Sequence, residues 1–163
     1  MPDISLTIVT PDGYKLKEVV SDFTAPSVDG EFGVLPGHRP LLAALRTGIV
    51  TIHAGGKESR FAVGPGFVQV ADNHALVLTD RFAKKEDVDP VRVRLDLKDA
   101  DTGLDHFSGD RESSEYHDLV ALEQWAAVQL ELYGDPPPPT VRTNSVLGVI
   151  PEDYQGVADD DGA

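Results

Sequence analysis

The sequence predicts a mainly β protein with an α-helical part: a two-layer antiparallel β-sandwich, followed by helix and then by a disordered tail. Three observations predict it. In the first half, short apolar segments alternate with polar residues and are separated by turn dipeptides. Further on, one segment places apolar residues at steps of three and four. Between them the charge balance changes: 11 acids stand against 9 bases up to Val88, and 17 against 5 from Asp89 onward.

Ile4, Leu6 and Ile8 alternate with Ser5 and Thr7, the period of a strand with one buried face, and Pro11-Asp12-Gly13 turns the chain after it. Ile49-Val50-Thr51-Ile52 and Arg60-Phe61-Ala62-Val63 flank Gly55-Gly56, a dipeptide suited to a tight hairpin. Phe67-Val68-Gln69-Val70 and Ala75-Leu76-Val77-Leu78 flank Asp72-Asn73 in the same way, and the sandwich should end near Ala83.

Between these strands, residues 28 to 42 read Val-Asp-Gly-Glu-Phe-Gly-Val-Leu-Pro-Gly-His-Arg-Pro-Leu-Leu, too apolar for an ordinary exposed connection. Pro36 and Pro40 fix φ near about −65° and give up a donor, so the path is stiff before any partner arrives. A rigid Leu-Pro-Gly flanked by His38 and Arg39 suits a docking patch with a polar rim. An unusual sheet connection with no partner is the plainer alternative.

The totals bound the function. A chain of 163 residues with 40% hydrophobic content can bury a real core. It contains no cysteine, which excludes disulfides, thiolate metal sites and cysteine nucleophiles. A net charge of −14 disfavours nucleic acid, whose binding needs clustered cations to release counterions. No apolar run approaches the roughly 20 residues of a membrane span, and the Met1-Pro2-Asp3 start lacks a signal-peptide pattern, so a soluble chain is expected. His38, His53, His74, His106 and His117 show no metal-ligand spacing, and neither a Gly-x-Ser-x-Gly elbow nor a phosphate loop occurs. No catalytic constellation is expected, and no metal.

The segment resembles the loop Gly-Glu-x-Gly-x-Leu-Pro-Gly-His-x-Pro-Leu-Leu of the ε subunit family of bacterial and chloroplast F-type ATP synthases. Gly30, Glu31, Gly33, Leu35, Pro36, Gly37, His38, Pro40, Leu41 and Leu42 match it position by position. The likeness extends upstream through Leu6-Thr7-Ile8-Val9-Thr10-Pro11-Asp12-Gly13 and downstream through Gly66-Phe67-Val68-Gln69-Val70, Asn73 and Thr79-Asp80, about the first half of the chain. The resemblance implies a non-catalytic central-stalk subunit of a proton-translocating ATP synthase, coupling rotation of the c-ring to ATP synthesis. It would sit peripherally on the cytoplasmic face of the bacterial inner membrane and touch the membrane only through the complex. This end of the sandwich would face the rotor ring while part of the sheet packs on the γ subunit. The implied interface is Gly30, Glu31, Gly33, Leu35, Pro36, Gly37, His38, Arg39, Pro40, Leu41 and Leu42, with Glu31 and His38 as leading contacts. A rival reading from another class is a stand-alone β-sandwich adaptor that uses the same loop.

The resemblance also organises the second half: sandwich over 1–84, helical hairpin over 85–134, Pro- and Asp-rich flexible tail over 135–163. Asp89-Pro90 reads as a helix start, with Asp89 as the cap and Pro90 at the first position. By contrast, Val91-Arg92-Val93-Arg94-Leu95-Asp96-Leu97-Lys98 alternates like a strand, and the family pattern alone makes it helical. The next helix is plainer: Ser113 or Ser114 caps it, Leu119, Leu122, Ala126, Leu130 and Tyr133 form its stripe, and Gly134 and Pro136 end it. Trp125 belongs with the apolar packing. A polyproline spacer is expected over Pro136 to Pro139, and Val146-Leu147-Gly148-Val149-Ile150 stands out as apolar in the tail.

Asp89-Pro90-Val91-Arg92 resembles the Ile/Leu-Asp-x-x-Arg-Ala motif at which some family members bind ATP, with Val88 and Val93 in the flanking places. A regulatory ATP would therefore involve Asp89 and Arg92, although no cofactor is required. The preferred reading makes Asp89 a cap and Arg92 the i,i+4 partner of Asp96. In the family the C-terminal arm meets an acidic segment of the catalytic α/β head through basic side chains. The helix from Glu115 to Tyr133 has neither Lys nor Arg, so weak inhibition of ATP hydrolysis is expected.

Overall fold

The computed structural model of the chain describes residues 3–137. Ten strands come first: β1 (Ile4–Thr10), β2 (Gly13–Val20), β3 (Asp22–Ser27), β4 (Gly30–Val34), β5 (Leu41–Leu45), β6 (Gly48–Ala54), β7 (Lys57–Val63), β8 (Gly66–Ala71), β9 (His74–Thr79) and β10 (Phe82–Ala83). Their order is β10-β7-β6-β3-β5-β8-β9-β1-β2, with β4 pairing β3. Between β3 and β5 the ladder narrows to the single pair Ser27↔Leu45. There the sheet folds over into two layers, and Ile8, Phe23, Ile52 and Val68 from both meet in one core. The alternation in β1 is fully expressed, with Ile4, Leu6 and Ile8 buried.

One expectation about pairing is corrected. The sandwich is not wholly antiparallel, because β1 runs parallel to β9 from Ser5↔His74 to Val9↔Leu78. Alternation reports which face of a strand is buried, but it says nothing about the direction of a neighbour far away in sequence.

The turns follow their residues. Asp72 and Asn73 both take positive φ, 50° and 58°, which matches the primed turn of a two-residue hairpin between β8 and β9. Gly66 allows a close approach: a Cβ added there would lie 1.7 Å from the Leu78 carbonyl oxygen. On β3, β6 and β7, Asp22, His53 and Glu58 stand side by side. His53 Nδ1 lies 2.7 Å from Asp22 Oδ1 and its Nε2 lies 3.3 Å from Glu58 Oε2. The hydrogen bond to Asp22, helped by Glu58, holds the imidazole pKa above its usual value.

A short 3₁₀ turn, Lys85–Asp87, leads to α1 (Pro90–Asp105). Asp89 Oδ1 accepts the N–H groups of Val91 and Arg92 at 3.2 and 3.4 Å, so the cap forms as expected. Residues 91–98 are helical, against their strand-like period. Val93, Ala100 and Leu104 are the buried set, while Val91 and Leu95 lie on an outward face. Exposed apolar residues interleaved with buried ones produced the alternation. The expected ion pair of Arg92 with Asp96 does not form among the described residues. Arg94 is the cation engaged instead, its Nε donating to Asp135 Oδ2 at 2.9 Å.

The second helix, α2 (Ser114–Tyr133), starts where Ser113 Oγ accepts the Tyr116 N–H at 3.3 Å. It stops at Gly134, whose φ is 104°; the Asp135 N–H then donates to the Leu130 carbonyl at 2.9 Å. Its stripe is broader than expected and differently placed. Leu122 and Tyr133 are exposed, whereas Glu123, Ala127, Val128 and Leu132 are buried together with Ala126 and Leu130. The cause is contact on two sides: α2 packs along α1 and also touches β6, β7 and the connecting turn. A second apolar cluster, including Ala62, Ala83, Val93, Ala126 and Leu130, with Trp125 packed at its margin, joins the hairpin to the sandwich. Arg81 stacks over Trp125 at 5.8 Å, adding a cation–π contact at this seam. The spacer expected over Pro136 to Pro139 falls half outside the described residues, and Val146 to Ile150 fall wholly outside them.

Candidate docking surface

The apolar, Pro-containing segment is not a single loop. Gly30, Glu31 and Gly33 belong to β4; Leu35, Pro36, Gly37, His38, Arg39 and Pro40 form a connection; Leu41 and Leu42 begin β5. The connection turns sharply at Leu35–His38, where the His38 N–H donates to the Leu35 carbonyl at 3.1 Å. Pro36 precedes Gly37, whose φ is 79°, and this is the residue order that a type II turn requires.

A clamp then fixes the turn to its surroundings. The Gly37 N–H donates to Asn73 Oδ1 at 2.7 Å, and the Asn73 carbonyl accepts the Ser5 N–H at 2.9 Å. One asparagine in a hairpin turn thus ties the connection to both β1 and β9. Stiffness comes from this clamp as much as from the prolines. His38 Nδ1 lies 2.7 Å from the Arg39 carbonyl oxygen, which fits the tautomer with its proton on Nδ1. Leu35 and Leu42 are exposed, Leu42 by 71%.

Glu31 and His38 are not brought together. Glu31 sits on β4, which pairs only with β3, while His38 belongs to a turn clamped to the other layer. Glu31 instead lies within the field of Arg46 in the β5–β6 connection. Burial lowers the Arg46 pKa from its usual value, and the Glu31 carboxylate opposes that shift.

A further feature of the layer that carries the turn was not anticipated from the sequence. On the outer face of the layer β5-β8-β9-β1-β2, the cross-strand partners Ala44, Phe67, Leu78, Val9 and Tyr14 form one continuous row over five strands. Phe67 is 55% exposed and Tyr14 77%. Leu42 and Leu76 flank the row through Gln69. Outward positions of a solvated antiparallel layer are normally polar, so a contiguous apolar row marks a contact surface. Its signal in the sequence was Phe67 and Leu78, large apolar residues at positions whose neighbours Val68 and Val77 already fill the core.

Asp89 and Arg92 lie apart from this surface, at the start of α1. Asp89 Oδ1 serves the helix N-terminus, so the pair offers a triphosphate only the Arg92 cation. Among the described residues no group of three or more His, Asp or Glu is arranged to hold a metal ion.

Comparison with known proteins matches residues 3–85 to a family model described as the ATP synthase, Delta/Epsilon chain, beta-sandwich domain. A protein of Anaeromyxobacter sp. (strain K), named ATP synthase epsilon chain, is 42% identical over 101 residues, which cover 62% of this chain and 76% of that one. ATP synthase epsilon chain 2 of Syntrophotalea carbinolica is 34% identical over 131 residues, covering 80% of this chain and 94% of that protein. Among solved structures, a chain of the Euglena gracilis mitochondrial ATP synthase superposes with a TM-score of 0.60 at 24% identity, over 82% of this chain and 78% of that chain. At that identity the likeness is one of fold.

Proposed function

Because the chain belongs to the ATP synthase Delta/Epsilon family, we propose that it works as the ε subunit in the central stalk of a bacterial proton-translocating enzyme. It has a mechanical role and carries no bond chemistry of its own. The five-strand apolar row supplies the contact with γ, and the clamped turn with His38 and Arg39 at its rim, together with Glu31 on β4, supplies the contact with the rotor ring. The observation that carries this reading is that one layer bears both: Asn73 clamps the turn at the start of β9, and Leu78 near the other end of β9 belongs to the row. No helix among the described residues is long and apolar enough to cross a membrane, which fits attachment to the cytoplasmic face through the complex.

The test is capture of the full chain on immobilised γ and on the purified rotor ring of its own organism. Wild type is expected to bind both. Glu31→Lys combined with Arg39→Glu should weaken ring capture by about tenfold, since reversed rim charges meet complementary ones across the interface, while γ capture persists. Failure of the wild-type chain to bind either partner would overturn the assignment.

The C-terminal arm is a weak brake in this proposal. Its α2 surface presents Glu115 and Asp118 and no cation, so an acidic segment of the catalytic head would meet like charge. Removing residues 89–163 is expected to leave ATP hydrolysis by the assembled complex within about twofold of wild type. A large activation would refute it.

A further inference from the structure

We infer that the chain's own C-terminal segment, residues 138–163, docks in cis along the outward face of α1. Val91 and Leu95, one helical turn apart, are 64% and 58% exposed, although each is a large apolar side chain. Arg94 and Lys98 succeed them at spacings of three, so this one face of α1 alternates apolar and cationic groups. That is unusual in a half of the chain that carries 17 acids and 5 bases. Beside this face runs a groove of about 360 Å³, whose lining includes Arg94, Leu97, Lys98, Asp101 and Leu130 as well as Pro136 and Pro137.

The described chain ends in this groove. Arg94 holds Asp135 through its Nε at 2.9 Å, which directs Pro136 and Pro137 along the groove wall. The 26 residues beyond Pro137 include five acids and one base. Within them Val146-Leu147-Gly148-Val149-Ile150 leads at once into Pro151-Glu152-Asp153. An apolar run ending in two carboxylates complements a helix face that presents two apolar side chains and Lys98, with Arg94 already anchoring Asp135 beside them. The reach suffices: nine extended residues from Pro137 span up to about 30 Å, whereas α1 from Val91 to Thr102 is only about 16 Å long. A tether this short also gives the segment a millimolar-scale effective concentration, which a second copy in trans would not match.

Docked there, the segment removes Val91 and Leu95 from water and adds a contact spanning α1 and the end of α2. The hairpin is then held in its packed position by its own continuation, and any partner for that helix face must first displace it.

The chain has no native cysteine, so an introduced pair reports on itself alone. The full chain carrying Leu95→Cys and Val149→Cys is oxidised mildly, and intramolecular disulfide is measured against a control chain with Leu42→Cys and Val149→Cys. Leu42 is at least as accessible as Leu95 but lies on the layer away from the helices. The expected result is at least about tenfold more intramolecular product from the first pair, matching the local-concentration advantage of a docked segment. Adding Lys98→Glu, or Arg94→Glu with Lys98→Glu, should lower that yield several-fold, and about 1 M salt should do the same. Two charge variants are used so that an unfolded one can be set aside by its circular dichroism. Equal yields from the two pairs, a yield indifferent to charge reversal and salt, or disulfides formed only between molecules would each overturn the proposal.

Discussion

Phe67→Glu is expected to weaken association with γ by about a hundredfold or more. Phe67 lies inside the outward row, flanked by Ala44 on β5 and Leu78 on β9, where a bound partner would exclude water. Truncating a central aromatic anchor typically costs about 2 kcal/mol or more, and a buried, unpaired carboxylate adds its own desolvation cost, so about 3 kcal/mol is a conservative sum. At about 1.4 kcal/mol per decade this becomes roughly two orders of magnitude in Kd. The fold itself should tolerate the change, because more than half of the side chain already faces water. Titration calorimetry of γ into wild type and variant, with thermal unfolding as the control, checks both statements. Unchanged affinity in a folded variant would remove the row from the γ contact.

Gly66→Ala is expected to cost about 3 kcal/mol of stability, at the upper end of what overpacking usually produces. The added Cβ would lie 1.7 Å from the Leu78 oxygen and 2.9 Å from Thr79 Cα. Both are backbone atoms of the paired strand, so no side-chain rotation can relieve the clash; β8 and β9 must part or bulge. Gly33→Ala is the matched control, since its Cβ would meet only Thr24 Cγ2, at 4.0 Å. Urea unfolding followed by circular dichroism should show a large drop in midpoint for the first and little change for the second. Because Phe67 and Leu78 pair beside Gly66, the same substitution should also disturb the outward row.

The parts legible in the sequence are those that local chemistry decides. Asp72-Asn73 foretold a hairpin because few other residues accept two successive positive φ angles, and both adopt them. Asp89, Ser113 and Gly134 foretold helix ends because backbone groups there need partners, and all three supply them. The turn at Leu35–His38 was legible through Pro36 and Gly37. Its clamp was not, since nothing near Asn73 in sequence points to Gly37. Nor was the apolar row, because Val9, Tyr14, Ala44, Phe67 and Leu78 become neighbours only through strand register. Val91 to Lys98 misled the eye for a related reason. Periodicity assumes that apolar means buried, and on α1 two apolar residues are not. The stripe of α2 failed in the opposite direction, since a helix covered on two sides buries residues off any single stripe.

The parallel seam between β1 and β9 also has a bearing on biosynthesis. Hairpins such as β6–β7 and β8–β9 can zip up as soon as they emerge, since their partners are a few residues apart. β1 must wait: Ser5 finds its match only when His74 has been made. Until then one rim of the first strand offers unpaired amide and carbonyl groups to any passing chain, so the nascent protein is most exposed to misassociation until the ninth strand leaves the ribosome.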